Sequence, residues 1–305
     1  MIKKFLLVGF LCSSFLFTAC SGDNAESDEK NVVATTGQIA DAVNAIVGDE
    51  ITVYALMGPG VDPHLYKASQ SDVKKLEKAD MIFYNGLHLE GQLDDIFAQM
   101  SKDKTVVAAA EILDKNKLLA DEENSDLFDP HVWFDISLWS EVVDGIGDAL
   151  VKEYPEHKEL FEKNEAEYLA KLAELQKYVK ERVNELSSAK RHLVTAHDAF
   201  NYFGSSLGFT VSGLQGLSTE SEYGVKDVEN MVEYLVKNKI KAIFVESSVS
   251  DKAMKAVIEG AQQKNHPVKI GGELFSDAMG AEGTEEGTYI GMYKHNVDTI
   301  VDALK

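Results

Sequence analysis

The amino-acid sequence predicts an α/β protein of two lobes, each a parallel β-sheet covered by helices, joined by one long rigid helix. Three observations predict it. Short β-branched or apolar runs alternate with helical patterns in both halves, the middle of the chain is free of Gly and Pro over residues 156–203, and apolar residues recur there at steps of three and four.

In the first half the predicted strands are 32–36, 51–57, 81–84 and 105–109, with helical patterns at 38–47, 69–78 and 89–100. The second half repeats the design. Its strands are 192–196, 209–212, 242–246 and 268–271, and its helical patterns are 198–207, 225–238, 251–263 and 286–304. Between them Pro155 stands where the first turn of a helix tolerates it. Leu169, Leu172, Gln176, Val179, Val183 and Leu186 then recur at steps of three and four. This reads as one amphipathic helix of about thirty residues, ~45 Å long, a strut that limits how far the lobes swing apart. The expected organisation is 1–19 signal peptide, 20–31 flexible tether, 32–154 first lobe, 155–189 linking helix and 190–305 second lobe.

The N-terminus sets the compartment. Lys3 and Lys4 precede an apolar run at 5–17 that is shorter than the ~20 residues needed to cross a membrane. Thr18-Ala19-Cys20 closes it and resembles a bacterial lipobox, with Phe17 in place of the usual leucine. The expectation is an exported protein of the bacterial cell envelope, lipid-attached at Cys20 and facing the periplasm or exterior. An ordinary signal peptide cut nearby is the alternative. If Cys20 begins the mature chain, Cys12 is removed and no free thiol remains, so any metal must be held by imidazole and carboxylate. The formal net charge of -21 argues against nucleic acid and against direct docking on anionic lipid, so membrane contact is expected through the N-terminal lipid alone. The chain is expected to be a monomer.

Two of the five prolines lie in Asp-Pro-His tripeptides, Asp62-Pro63-His64 and Asp129-Pro130-His131. Proline fixes its own φ and pushes the preceding residue to an extended conformation, so each tripeptide is a stiff loop that sets an imidazole. His64 falls beyond the second predicted strand, His197 directly follows 192–196, and Asp277 follows 268–271. Parallel sheets carry ligand sites at that strand edge. Three imidazoles and a carboxylate make a closed shell for a divalent transition metal. A lone histidine at a strand end is more often structural, and Asp62 and Asp198 read equally as a turn residue and a helix N-cap. His88 is a competing candidate of structural or supporting kind, whereas His157, His192, His266 and His295 read as surface residues.

The strings LMGPGVDPHLY, ADMIFYNGLHLEG, FDPHVWFD, VTAHDAFNYFG, IFVESSVS and LFSDAMGAEGTEEGTYIGMYKHNVDTIV resemble those of the TroA-like metal-binding lipoproteins, the receptors of zinc and manganese ABC importers. The resemblance runs from about Val32 to the C-terminus. It implies a metal buried between two lobes on His64, His131, His197 and Asp277, and an ABC importer permease as partner. It also implies a bound and transported ion, Zn2+ or Mn2+, with Fe2+ a third option. Manganese-specialised members carry glutamate where His197 stands, and zinc-specialised ones often carry a histidine-rich loop that this chain lacks. Zinc is favoured, with manganese close behind, because affinity for a nitrogen-rich site ranks zinc higher.

The other function classes are a zinc metalloenzyme, a siderophore or cobalamin-type binding lipoprotein, and an adhesin. No general base is evident beside the site, and four protein ligands leave little room for a reacting substrate. Metal affinity is expected to fall as pH drops through the histidine range. The segment after Ser248, or the one carrying Asp277, is expected to move on release.

Overall fold

The chain is described by a computed structural model over residues 30–121, 124 and 126–305. The signal segment, Cys12, Cys20 and nearly all of the tether lie outside the described residues.

The first half runs β1 (Asn31–Ala34), α1 (Gly37–Val47), β2 (Thr52–Ala55), α2 (Gln70–Lys78), β3 (Met81–Tyr84), α3 (Asp94–Met100) and β4 (Thr105–Ala108). The strands form one parallel sheet in the order β2-β1-β3-β4. Successive crossovers therefore diverge between β1 and β3, the position where parallel sheets open a crevice at their carboxyl ends. The sheet is apolar on both faces, as helices on both sides require. Val32, Ala34 and Phe83 face the helices of the main core, while Val33 and Ile82 pack with Leu76 and Phe97 of α2 and α3.

Next come α4 (Ile136–Glu153) and α5 (Lys158–Val183). Sequence patterning passed over α4, which is a full helix of 18 residues capped by Asp135, whose carboxylate accepts from the N–H groups of Ser137 and Leu138. Gly145 and Gly147 weaken its intrinsic helix signal. Tertiary packing explains Gly147: a Cβ there would stand 2.0 Å from the Glu165 carboxylate of α5.

The linking helix α5 has 26 residues, ~39 Å, somewhat shorter than expected. Its buried stripe is Phe161, Tyr168, Leu172, Leu175, Val179 and Val183. Leu175 thus takes the inward place assigned to Gln176, whose amide instead reaches Ser137 Oγ at 2.7 Å. The helix is fastened at both ends. Asn164 donates to Ile46 O and the Tyr168 hydroxyl to Asp41 of α1, while Tyr178 and Arg182 hold Asp298 of the last helix.

The second half continues as β5 (His192–His197), α6 (Asn201–Leu207), β6 (Thr210–Gln215), α7 (Val225–Asn238), β7 (Ala242–Glu246), α8 (Lys252–Gln263), β8 (Lys269–Leu274) and α9 (Tyr289–Leu304). Its strands make two parallel pairs, β5–β6 and β7–β8, rather than one continuous ladder. At the carboxyl end of the β5–β7 seam a side chain stands in for a strand. Glu246 Oε1 accepts from the N–H groups of Ala196 and His197 at 2.8 and 2.9 Å.

One hydrophobic core crosses between the halves, joining Trp133, Phe134 and Trp139 to Phe200, Phe203, Tyr289 and Tyr293. The hydroxyls of Tyr289 and Tyr293 donate to Trp133 O and Phe134 O at 2.7 and 2.8 Å. The last helix is therefore part of the support for the first lobe. No helix among the described residues is long and apolar enough to cross a membrane.

Candidate metal centre

Each candidate side chain is presented by a braced loop. His64 lies beyond β2, with its N–H on Asp62 Oδ1 at 2.9 Å. His131 precedes the tight turn Val132–Phe134, and its N–H is on Asp129 Oδ1 at 2.9 Å. Asn85, just past β3, donates to Pro130 O at 3.0 Å and ties that loop to the sheet. Tyr202 of α6 donates to Asp129 O at 3.1 Å. His197 is the last residue of β5 and pairs across to Gln215 of β6. Gly213 lets the strands approach there, since a Cβ on it would lie 2.5 Å from the His197 carbonyl carbon and the Asp198 nitrogen. Asp277 follows β8 on a buried loop.

The structure brings all four residues together. One ligand atom from each of His64, His131, His197 and Asp277 lies within 4.8 Å of the others, and all four residues are buried. The His64, His131 and His197 Nε2 atoms stand 3.7, 3.4 and 3.1 Å from the nearer Asp277 oxygen. Four ligands placed tetrahedrally at 2.0–2.1 Å from an ion are about 3.3–3.4 Å apart, so the spacing suits a first-row metal. The Nε2 atom of each histidine and both Asp277 oxygens are buried without a hydrogen-bond partner. Orphaned polar groups carry a desolvation cost of about 1–3 kcal/mol each, which a central cation offsets. Asp277 turns Oδ1 toward His131 and Oδ2 toward His64 and His197, so both oxygens face the common centre.

The two far ring nitrogens that have carboxylate neighbours fix which face of the imidazole points inward. Asp129 Oδ1 accepts from His131 Nδ1 at 2.8 Å. Glu246 Oε2 stands 2.6 Å from His197 Nδ1, an ion-pair approach in which the N–H is not aligned on the oxygen. A proton on Nδ1 leaves Nε2 as the free donor, and a carboxylate behind it raises ligand basicity.

The electrostatics divide the histidines. Burial pushes the His64 pKa down to about 3; Asp277 opposes this, while His131 and His197 reinforce it. His64 is thus a neutral donor throughout the ordinary pH range. Burial also acts to lower His131, but Asp129 and Asp277 outweigh it and raise the pKa to about 9. His197 is raised well above its ordinary value because Glu246 and Asp277 overcome its desolvation. Burial works against ionised Asp277, yet His197 and His131 hold its carboxyl well below the usual carboxylate range. Without a metal, protons on His131 and His197 balance the buried carboxylates.

The remaining sequence candidates fall elsewhere. His88 is exposed, pairs with Asp94 at 3.1 Å, and borders a separate cavity of about 440 Å³ with Tyr84 and Glu111. His192, His266 and His295 bond to Tyr234, Ile240 O and Glu273 O, and His157 stacks on Phe161. Asp198 is not a helix N-cap. Its carboxylate accepts from Gly213 N–H, and Phe200 stands at the start of α6. Sequence reasoning missed the supporting role of Glu246, because it lies 49 positions from the residue it braces. A glutamate ending a fully apolar strand, Ala242–Glu246, was the available signal.

A profile of the family described as zinc-uptake complex component A, periplasmic, matches residues 32–303. The manganese-binding lipoprotein MntA of Bacillus subtilis (strain 168) is 50% identical over 307 residues, covering 100% of both chains. The manganese ABC transporter substrate-binding lipoprotein PsaA of Streptococcus anginosus is 34% identical, covering 98% of this chain and 97% of its own. The solved structure of the periplasmic zinc-binding protein TroA from Treponema pallidum superposes with a TM-score of 0.88 at 46% identity, covering 90% of this chain and 99% of that one.

Proposed function

The chain belongs to the family of the periplasmic component A of zinc-uptake complexes, and on that premise we propose that it captures one divalent transition metal on His64, His131, His197 and Asp277 and hands it to an ABC importer permease. It is a substrate-binding receptor rather than an enzyme, as its relatives are. The observation that carries the assignment of ligands is the convergence of three unpartnered imidazole nitrogens and one unpartnered carboxylate in a buried space.

The ion is cargo; manganese is named for MntA and zinc for TroA, and a solved structure at 26% identity, YtgA from Chlamydia trachomatis, is described as Fe(III)-bound. A shell of three neutral nitrogens and one carboxylate binds zinc more tightly than manganese at equal availability. We therefore place zinc first, manganese second and ferrous iron third. Release must weaken this shell, because a fully satisfied buried site holds its ion.

Attachment through an acylated Cys20 follows from the lipobox-like segment, and the acidic segment after it serves as tether. Receptor and permease then meet at the membrane surface, with the receptor acting as a monomer. Elemental analysis of protein purified without chelators tests the assignment. One metal per chain is expected, with zinc displacing manganese in competition and with His131→Ala and Asp277→Ala each losing the ion. Stoichiometric metal in both variants overturns the ligand set.

A further inference from the structure

Asp277 belongs by sequence to the second half of the chain, yet its loop is seated on the first. The carbonyl of Ser276 accepts from Gln38 Nε2 of α1 at 3.3 Å and from Trp133 Nε1 at 3.2 Å. Gln38, Trp133 and Ser276 are all buried. Met279 on the far side of Asp277 packs against Gly37, where a Cβ would meet its Cε at 3.2 Å. Asn296 of α9 brackets the near side, donating to Phe275 O and accepting from Phe275 N–H. That helix is itself hydrogen-bonded to Trp133 and Phe134 through Tyr289 and Tyr293. Toward the second-lobe sheet, the Ser276 hydroxyl meets Ser248 Oγ at 3.1 Å, and Leu274 O, three residues before Asp277, accepts from Ser247 N–H at 2.9 Å.

His197 has a different support. It ends β5, and its backbone and ring both meet Glu246 at the end of β7.

We propose that Gln38 is a positioning residue which, with Trp133, holds the Asp277 loop on the first lobe, so that Asp277 is fixed relative to His64 and His131. This rests on the four residues being the metal shell. The Gln38 Nε2 is spent on the Ser276 carbonyl. It acts through the Ser276 carbonyl, one peptide from the ligand, and the indole of Trp133 supplies the second point that fixes the peptide's plane. Of the two segments expected from sequence to move on release, the Asp277 loop is thereby anchored on the first lobe, which leaves the segment after Ser248.

Gln38→Met fills nearly the same volume without an amide, and Gln38→Asn keeps an amide that falls short of Ser276. Zinc release into excess chelator is followed alongside amide hydrogen exchange of metal-free protein. Both variants should release zinc about tenfold faster or more, the effect usual for residues that orient ligands. Exchange should rise at 275–279 and stay unchanged at 192–197. Release within twofold of wild type, with unaltered exchange at 275–279, overturns the proposal, as does equal loosening of both segments. If wild-type protein holds no zinc, the metal reading fails on its own, and exchange in metal-free protein still decides the role of Gln38.

Discussion

Asp129 Oδ1 accepts from both the backbone N–H and the ring Nδ1 of His131, at 2.9 and 2.8 Å, with only Pro130 between them. The same tripeptide at Asp62-Pro63-His64 is wired differently. Asp62 Oδ1 takes the His64 N–H at 2.9 Å, while Oδ2 reaches across the cleft to the Thr219 hydroxyl at 2.6 Å. Both aspartates also accept from the opposite lobe, Asp129 from Asn201 and Asp62 from Thr219, but only Asp129 orients a ring.

Asp129→Asn should therefore weaken metal binding about 10–100-fold, because the ring loses its anionic partner and its fixed tautomer. Asp62→Asn keeps the oxygen that serves His64 N–H, so its effect should stay within about tenfold, the worth of one ordinary hydrogen bond. Chelator competition measures both affinities. Equal losses would sink the distinction.

Metal and protons compete for the same nitrogens, and the sign follows from the raised histidines. His131, lifted to about 9, stabilises metal-free protein below the unfolded value of 6.5 and loses that contribution as pH rises through the folded value. His197 acts in the same direction. Metal-free melting temperature should fall from pH 6.5 toward 9, while metal affinity rises over the same window. Melting curves with and without zinc check this. Parallel pH trends in the two forms would contradict it.

Glu90 offers a pH effect remote from the ligands. Its buried carboxyl accepts from Thr35 Oγ1 at 2.6 Å and from the N–H groups of Asn85 and Gly86. Burial nonetheless raises its pKa from 4.5 to about 7, with those hydrogen bonds opposing. Stability contributed by the protonated form is complete below 4.5 and lost by about pH 7, on the order of 3 kcal/mol at 1.36 kcal/mol per pKa unit. Urea unfolding of wild type and Glu90→Gln should show their difference shifting by that amount between pH 4.5 and 7.5. A constant difference would rule the effect out.

Gly213→Ala places a methyl group against the His197 backbone rather than against a flexible side chain. The strand must shift, at a cost of about 1–3 kcal/mol. Metal affinity should drop with stability, since the displaced residue carries a ligand. Denaturation and zinc titration of the same preparation test the coupling. Lost stability with unchanged affinity would show that the shift is absorbed elsewhere.

Much of this arrangement is legible in the chain itself. Short β-branched or apolar runs marked every strand of both halves to within a few residues, because a parallel strand covered on both faces carries an unbroken apolar stretch. The Asp-Pro-His tripeptides marked His64 and His131, because proline restricts the chain locally. His197 and Asp277 stand just beyond predicted strands, and the family resemblance of VTAHDAFNYFG and LFSDAMG is what implied them as ligands. Helix α4 was hidden because its glycines answer to Ile112 and α5, which are partners that local pattern cannot show.

What the sequence by itself determined is the two-lobed α/β plan, the strut and the identity of four converging side chains. These depend on local periodicity and on motifs a few residues long. The tertiary structure alone decided how those side chains are held. It put Glu246 behind His197 across 49 positions and Gln38 against Ser276 across 238. It also gave two identical tripeptides different work, since Asn201 and Tyr202 close around Asp129 while Thr219 takes Asp62. Such choices depend on which groups meet once the core has closed, and burial then sets the strength of each contact.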